Sequence, residues 1–410
     1  MLDQKKNIGY LYIVQIANLI IPLITLPWLA TQLGLSAFGV FGVFLVILGY
    51  LNLIIDYGFN LTGVKDVASC DNIEKQSQSL LSVIASKLIL YIVVVVVVVI
   101  VRLFTNFISS NIEMFLLILG SLNAVINPIW FLQGIGKLPY ASIAILLFRM
   151  ASLPFLFIFV TGSSDLNTAL LLQILPGIFA SIYCLFIIKS KGFAITTYIG
   201  FTDVRKEFKE SRGAFLSTAF SGIYGSSYII IISTVLGVTT AGIFYAADRI
   251  IRAFQALISP LSQAIFHIIS KNTATSNPSS KIFFIKWVIV NTIFGLAIFL
   301  FLLLFAESII IQFFGAKYED SINIIKILSL LPLFFGIQMI SYMFILSHKK
   351  EVFVNYVYLT ALCIFIPIIY LVMKYYGVMY GVSAIFTGEA LISLLMLFYA
   401  LKIINKMRYE

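Results

Sequence analysis

The chain has 410 residues, of which 61% are hydrophobic and only 11% charged, and its formal net charge is +10. A soluble globular domain carries roughly a quarter charged residues, so a soluble enzyme or soluble binding module is excluded. The positive excess sits between long apolar runs, where it reads as a signal of membrane topology and gives no support to nucleic-acid binding.

Apolar runs of about twenty residues recur from end to end, each long enough to cross a hydrocarbon core of about 30 Å as a helix. In chain order the expected spans are 10–31, 37–58, 79–101, 113–133, 139–160, 166–188, 213–236, 241–268, 283–306, 321–346, 351–373 and 379–402. The first is too long for the apolar region of a signal peptide and lacks a small-x-small cleavage pattern, so it reads as a retained helix. The run Val93–Val99 favours a strand in water, but an isolated strand in lipid leaves its backbone unpaired, and a helix is expected. Pro22, Pro27, Pro128, Pro154, Pro176, Pro260, Pro332 and Pro367 fall inside spans and are expected to bend them. The spacing of Cys70, Cys184 and Cys363 fits neither a disulfide framework nor a metal site, and His267 and His348 lie at span ends.

Lysine and arginine fix the orientation. Twenty of them fall toward the side that holds both termini, Lys87 being counted with that side. Four (Arg102, Lys317, Lys326, Lys374) fall opposite, and Arg149, Arg249 and Arg252 lie inside spans. Both termini are therefore expected in the cytoplasm. The connection 189–212 carries six basic and three acidic residues and is expected to be a solvated linker, with contact to anionic lipid headgroups as the alternative.

One phrase occurs twice. LGLSAFGVF (Leu33–Phe41) and LGVTTAGIF (Leu236–Phe244) stand 203 residues apart, each at the junction of two spans. Six spans plus the linker separate them, and six is even, so both copies have the same orientation. The expected fold is an all-α integral membrane protein of about twelve transmembrane helices in two pseudo-symmetric six-helix bundles around a central cavity. The expected division is 1–188, a basic cytoplasmic linker 189–212, and 213–410. Gly34 and Gly237 are expected in tight turns, and Gly39 and Gly242 at close helix approaches.

An arginine at mid-bilayer costs roughly 2.5–3.5 kcal/mol, so the three arginines inside spans are expected to face partners, water or substrate. On the span 241–268, helical spacing puts Tyr245, Asp248, Arg252, Gln255, Ser259 and Gln263 on one stripe, with Arg249 beside it. Asp248 and Arg252 are an i, i+4 pair, which accounts for Arg252 structurally and leaves Arg249 over. Asn18 shares a face with Gln15 on the first span, and Asn52 with Asp56 on the second. Glu389 lies deep in the last span with no partner in its own helix, so it is a candidate carrier of a coupling proton or a partner for an arginine elsewhere. A deep basic cavity suits an anionic group, and guanidinium forks match a pyrophosphate.

The segments NLIIPLITLPWLATQLGLSAFGVFG, IIDYGFNLTGVKDVA, NPIWFLQGIGKL, AGIFYAADRIIRAFQALISPLSQAIFHIIS and FFGAKYEDSINIIKILSLLPLF resemble the Wzx-type O-antigen flippases. These form part of the polysaccharide-transport branch of the multidrug/oligosaccharidyl-lipid/polysaccharide (MOP) exporter superfamily. The resemblance implies a non-enzymatic transporter of the bacterial inner membrane that takes an undecaprenyl-pyrophosphate-linked oligosaccharide, an O-antigen or capsule repeat unit, from the cytoplasmic to the periplasmic leaflet. It implies no cofactor beyond a coupling proton or sodium ion. Implied partners are membrane lipids, a polysaccharide polymerase and a chain-length regulator. Arg249 and Arg252 match the family pattern A-[DE]-[RK]-I-x-[RK]-A, and Arg149 stands at its fifth-span basic position. The chain departs from the family at Gly136, where an acid is common, and at Phe266-His267, where FP is common. The competing readings are a multidrug exporter of the same superfamily, which would want an acidic cavity for cationic drugs, and an integral polysaccharide polymerase, which would want a large catalytic loop.

Overall fold

The computed structural model describes residues 21–105, 108, 110–193, 199–258, 282–348 and 350–405 with their side chains, and residues 2–20, 259–273, 279–281 and 406 by backbone. Everything regular among them is helical. All twelve expected spans fall on helix. Helix α1 (Leu2–Asp56) contains the first two, separated at Gly34, whose φ of 72° and ψ of 175° interrupt the helical geometry. A short α2 (Phe59–Ala68) follows, then α3 (Ile73–Phe104), α4 (Asn111–Ile126), α5 (Ile129–Gly134), α6 (Leu138–Phe159) and α7 (Leu166–Ser190). The remaining helices are α8 (Phe201–Leu236), α9 (Val238–Thr273), α10 (Ser279–Ile309), α11 (Asp320–Leu328), α12 (Leu331–Ser347), α13 (Glu351–Tyr376) and α14 (Val378–Lys406).

Ten helices among the described residues are long and apolar enough to cross a membrane. The difference from twelve has two sources. The described part of α1 counts once although it bends at Gly34, and α9, the least apolar expected span, is absent from the ten. The valine run is helical, as lipid requires. Val94 and Val98 face the protein while Val93, Val96 and Val97 face outward, the i, i+4 spacing of one packed face.

Two prolines end helices instead of bending them. Asn127 and Pro128 separate α4 from α5, and Pro332 lies in the first turn of α12, after the break that closes α11. Pro154, Pro176 and Pro367 lie inside continuous helices. Residues 201–212, expected as linker, are already the first turns of α8.

The chain divides into two compact units, one of residues 1–25 and 44–222, the other of 26–43 and 223–410. In the first unit, a core around Phe59, Leu80, Trp130, Phe131, Cys184 and Ile188 joins α2, α3, α5 and α7. The start of α8 docks there through Tyr57 stacked on Phe215 at 4.4 Å, the Thr62–Ser211 hydroxyl pair at 2.7 Å, and a Ser82 Oγ–Glu207 Oε1 hydrogen bond at 2.7 Å.

The second unit contains both copies of the repeated phrase. Gly237, like Gly34, has a positive φ, here 88°, which side-chain-bearing residues rarely adopt. A Cβ on Gly39 would strike the Val238 carbonyl oxygen, and one on Gly242 would strike the Leu35 carbonyl oxygen. Glycine is the residue that permits this approach. Around it Phe38 packs on Tyr245 (5.2 Å) and on the edge of Tyr318 (6.0 Å), whose hydroxyl donates to the Ala30 carbonyl at 2.9 Å.

Candidate functional site

The polar stripe of α9 holds one carboxylate between two guanidinium groups. Arg252 Nε lies 2.9 Å from Asp248 Oδ1 and 2.8 Å from Oδ2, and Arg252 Nη2 donates to the Gly225 carbonyl on α8 at 2.6 Å. The i, i+4 pair read from the sequence is therefore formed, and a third contact ties it to α8. Arg249, left over in that reading, also has company. Its Nη2 lies 3.6 Å from Asp248 Oδ2, and its guanidinium sits 4.6 Å above the buried Tyr245 ring. Arg249 Nε is buried without a hydrogen-bond partner. Two cations share this carboxylate. The cationic side chains are 34% (Arg249) and 39% (Arg252) exposed, whereas that of Asp248 is 14% exposed. Gln255 is half-buried on the same helix; the side chains of Ser259, Gln263 and Asn18 lie outside the described residues.

Glu389 has a partner from another helix. The buried Tyr228 of α8 donates its hydroxyl to Glu389 Oε1 at 3.0 Å. Tyr224, one turn earlier, packs edge-on against Tyr228 at 5.6 Å and tilted against Tyr358 at 6.3 Å, and its hydroxyl is buried. Gln338 donates to the Tyr358 hydroxyl at 3.0 Å. Glu389 also lies within electrostatic reach of Asp248 and Arg252, so acid, phenols and arginine belong to one polar group in the second unit.

The first unit holds the other candidates. Lys87 is fully buried and donates to Asp56 Oδ1 (2.7 Å), Asn60 Oδ1 (3.0 Å) and the Ala124 carbonyl (3.0 Å). Counting Lys87 among the orienting charges at a span end is thus corrected: all three N–H bonds of its ammonium are matched by oxygens of α1, α2 and α4. Asp56, named as a cavity residue, is held by this lysine with a third of its side chain exposed. The side-chain amide oxygen of Asn52, one turn earlier on α1, is buried without a partner. Arg149 on α6 lines a cavity of about 130 Å³ with Asn123, Asn127, Ser181 and Cys184. Arg149 therefore belongs to the first unit, and Arg249 and Arg252 to the second. Lys87 and the tyrosines around Glu389 are what the sequence reading missed. Lys87 had a signal, since it lies well inside the run 79–101; the tyrosines had none in a single sequence.

Comparison with known proteins agrees with this architecture. Residues 4–273 match the model of the family described as "Polysaccharide biosynthesis protein". A protein of Escherichia coli (strain K12) named "Putative O-antigen transporter" is 29% identical over 358 residues, covering 85% of this chain and 86% of that one. A protein of Shigella dysenteriae with the same name is 25% identical over 402 residues, covering 96% and 99%. Among solved structures, a multidrug resistance MATE family transporter of the MOP superfamily, in its inward-facing conformation, superposes with a TM-score of 0.78 over 97% of this chain and 99% of that one, at 16% identity. That likeness establishes the fold. With two thirds of its length on the family model and the resemblance to Wzx-type O-antigen flippases borne out, the chain belongs to the polysaccharide biosynthesis protein family of membrane proteins.

Proposed function

We propose that this protein turns an undecaprenyl-pyrophosphate-linked oligosaccharide from the cytoplasmic to the periplasmic leaflet of the bacterial inner membrane, by alternating access and with an ion gradient or the membrane potential as driving force. The observation that carries the reading is the pair of arginines over the carboxylate of Asp248, which gathers two partly exposed guanidinium groups on one face of α9. Such a charge attracts an anion strongly where water is scarce, and a guanidinium recognises phosphate oxygens in pairs. The names of the two bacterial relatives support the substrate class. A cationic drug is disfavoured by the same charge.

The two arginines take different roles in this proposal. Arg252 is committed to Asp248 and Gly225 and positions the cluster. Arg249, more loosely held at 3.6 Å and stacked on Tyr245, is the group that turns toward the pyrophosphate. The test is flipping of a fluorescent polyprenyl-pyrophosphate oligosaccharide in proteoliposomes. Arg249→Ala should lose at least about tenfold in rate, the equivalent of one charge-assisted contact, while remaining folded in detergent. Full-rate flipping by a folded Arg249→Ala protein would remove the arginine from the substrate site. Absence of flipping by the wild type, with and without an imposed gradient, would remove the function itself.

A further inference from the structure

The first turns of α8 bury a carboxyl group that has no cation beside it. Glu207, outside the expected span 213–236, is 6% exposed. Its Oε1 lies 2.7 Å from Ser82 Oγ on α3, and its Oε2 is buried with no hydrogen-bond partner. The neighbouring Lys206 is engaged elsewhere, 3.9 Å from Glu210, and both of those side chains are exposed. The remaining charged group within electrostatic reach among the described residues is Asp66 of α2, another acid. An ionised Glu207 would therefore be a buried anion next to two further acids and one lysine that already has a partner.

Counting hydrogens places a proton on it. Ser82 Oγ also lies 3.0 Å from the Ser79 carbonyl oxygen. A carbonyl only accepts, so that contact takes the single hydrogen of the serine hydroxyl. The shorter contact, to Glu207 Oε1, then has a hydrogen if the carboxyl supplies it, and 2.7 Å is an ordinary O–H···O length. An O–H on Oε1 completes a chain from Glu207 to Ser82 to Ser79 in which each hydrogen has one donor and one acceptor. It also turns Oε2 into the carbonyl oxygen of a neutral acid, whose burial costs far less than that of a carboxylate.

We propose that Glu207 is a proton-operated latch: protonated, it holds the first turns of α8 on α3, and once its proton is lost to water it lets them go. Docking binds a proton that the freed carboxyl, with its ordinary pKa of about 4.3, gives up. The docked state is therefore tightest below that pH. It weakens by up to about tenfold per pH unit above it, until the docked carboxyl has itself ionised. Apolar contacts hold the same turns at any pH, with Phe208 edge-on to Tyr57 and Phe59, so release is graded. Helix α8 belongs to the first unit up to residue 222 and to the second from residue 223. The latch thus sets how firmly the start of a helix shared by both units is anchored in the first. On the expected orientation, the pH it reads is that of the cytoplasm. The proposal does not depend on what the protein transports.

Two measurements on the full-length protein in detergent test it. In the first, backbone amide hydrogen exchange is followed for residues 201–212 and, as an internal reference, for α7, with each rate corrected for the intrinsic chemistry of exchange. Protection of 201–212 relative to α7 should fall about tenfold in the wild type between about pH 4.5 and about pH 8. Glu207→Gln, which stays neutral and keeps an N–H for Ser82, should show no such fall. Glu207→Met, neutral and close in volume, serves if Glu207→Gln does not fold. In the second, the infrared difference spectrum of wild type minus variant should contain, at about pH 5, the C=O stretch of a protonated carboxyl group, and that band should fade as the pH rises. Wild-type protection that is flat with pH, a variant whose protection falls in parallel with the wild type, or a difference spectrum without the carboxyl band overturns the latch.

Discussion

Lys87 supplies the hydrogen bond that Pro128 cannot. In a continuous helix the N–H of residue 128 would bond the carbonyl of residue 124; proline has no N–H, and the Lys87 ammonium lies 3.0 Å from that oxygen instead. The same ammonium pairs with Asp56 at 2.7 Å, so one side chain on α3 neutralises an acid at the end of α1 and repairs a helix break in α4. Breaking a buried pair by removing one partner typically costs 3–5 kcal/mol, so Lys87→Met should destabilise the protein by about that amount in denaturant unfolding in detergent. Pro128→Ala in the Lys87→Met background returns a donor to Ala124 and should recover about 1 kcal/mol. Strict additivity of the two changes would mean that the lysine does not act through that carbonyl.

The two close-approach glycines should be equally intolerant. Gly39→Ala and Gly242→Ala each place a methyl group on a backbone carbonyl, which cannot rotate away. Overpacking of this kind costs about 1–3 kcal/mol per site. The double variant should cost less than the sum, because the first substitution has already parted the helices for the second. A sum that is fully additive in a double-mutant cycle would show that the two contacts are independent.

At the Asp248 cluster, Arg252→Lys should lose stability by about 1–3 kcal/mol, since an ammonium does not reproduce the planar fork that meets Asp248 and the Gly225 carbonyl together. Asp248→Asn should be worse than Arg252→Lys, because it removes the charge of the one carboxylate that both neighbouring guanidinium groups touch. Thermal midpoints of the three proteins in one detergent rank them directly.

Glu389 separates structure from coupling. Glu389→Gln keeps an oxygen for the Tyr228 hydroxyl and should unfold within about 1 kcal/mol of the wild type, whereas Tyr228→Phe removes the donor and should cost about 1–2 kcal/mol. If Glu389 carries a coupling proton, Glu389→Gln flips substrate at a rate that no longer responds to an imposed pH gradient. A pH-gradient response equal to that of the wild type would return Glu389 to a purely structural role.

Most of the helices were legible because lipid allows little else: twenty apolar residues in a bilayer have helix as their solution, even through a run of valines. The Asp248–Arg252 pair was legible because it is local, four residues on one face. What stayed hidden was nonlocal. Tyr228 and Glu389 are 161 residues apart, and nothing in either helix points to the other. Arg249 looked unmatched because its second contact, the Tyr245 ring, is apolar by composition and attracts a cation only through its face. Lys87 was misplaced for a different reason: a rule about charges near helix ends was applied to a residue well inside a span, where a partner was required. The break at Pro128 was foreseen as a bend, since the sequence does not show that a side chain from another helix is at hand to complete the interrupted turn.

The paired glycines also bear on how such a chain diverges after its two halves become separate sequences. Val238 stands to Gly242 as Leu35 stands to Gly39, each four residues earlier, and each carbonyl is met by the other copy's glycine. A duplicated segment that contacts its own twin is under a mutual constraint: any side chain gained by one copy must be accommodated by the other. A substitution at either glycine must therefore fit the other copy's backbone, which limits what both positions can hold. A short repeat found at a wide, regular offset in a membrane protein is, on this ground, a prediction of which two helix junctions meet.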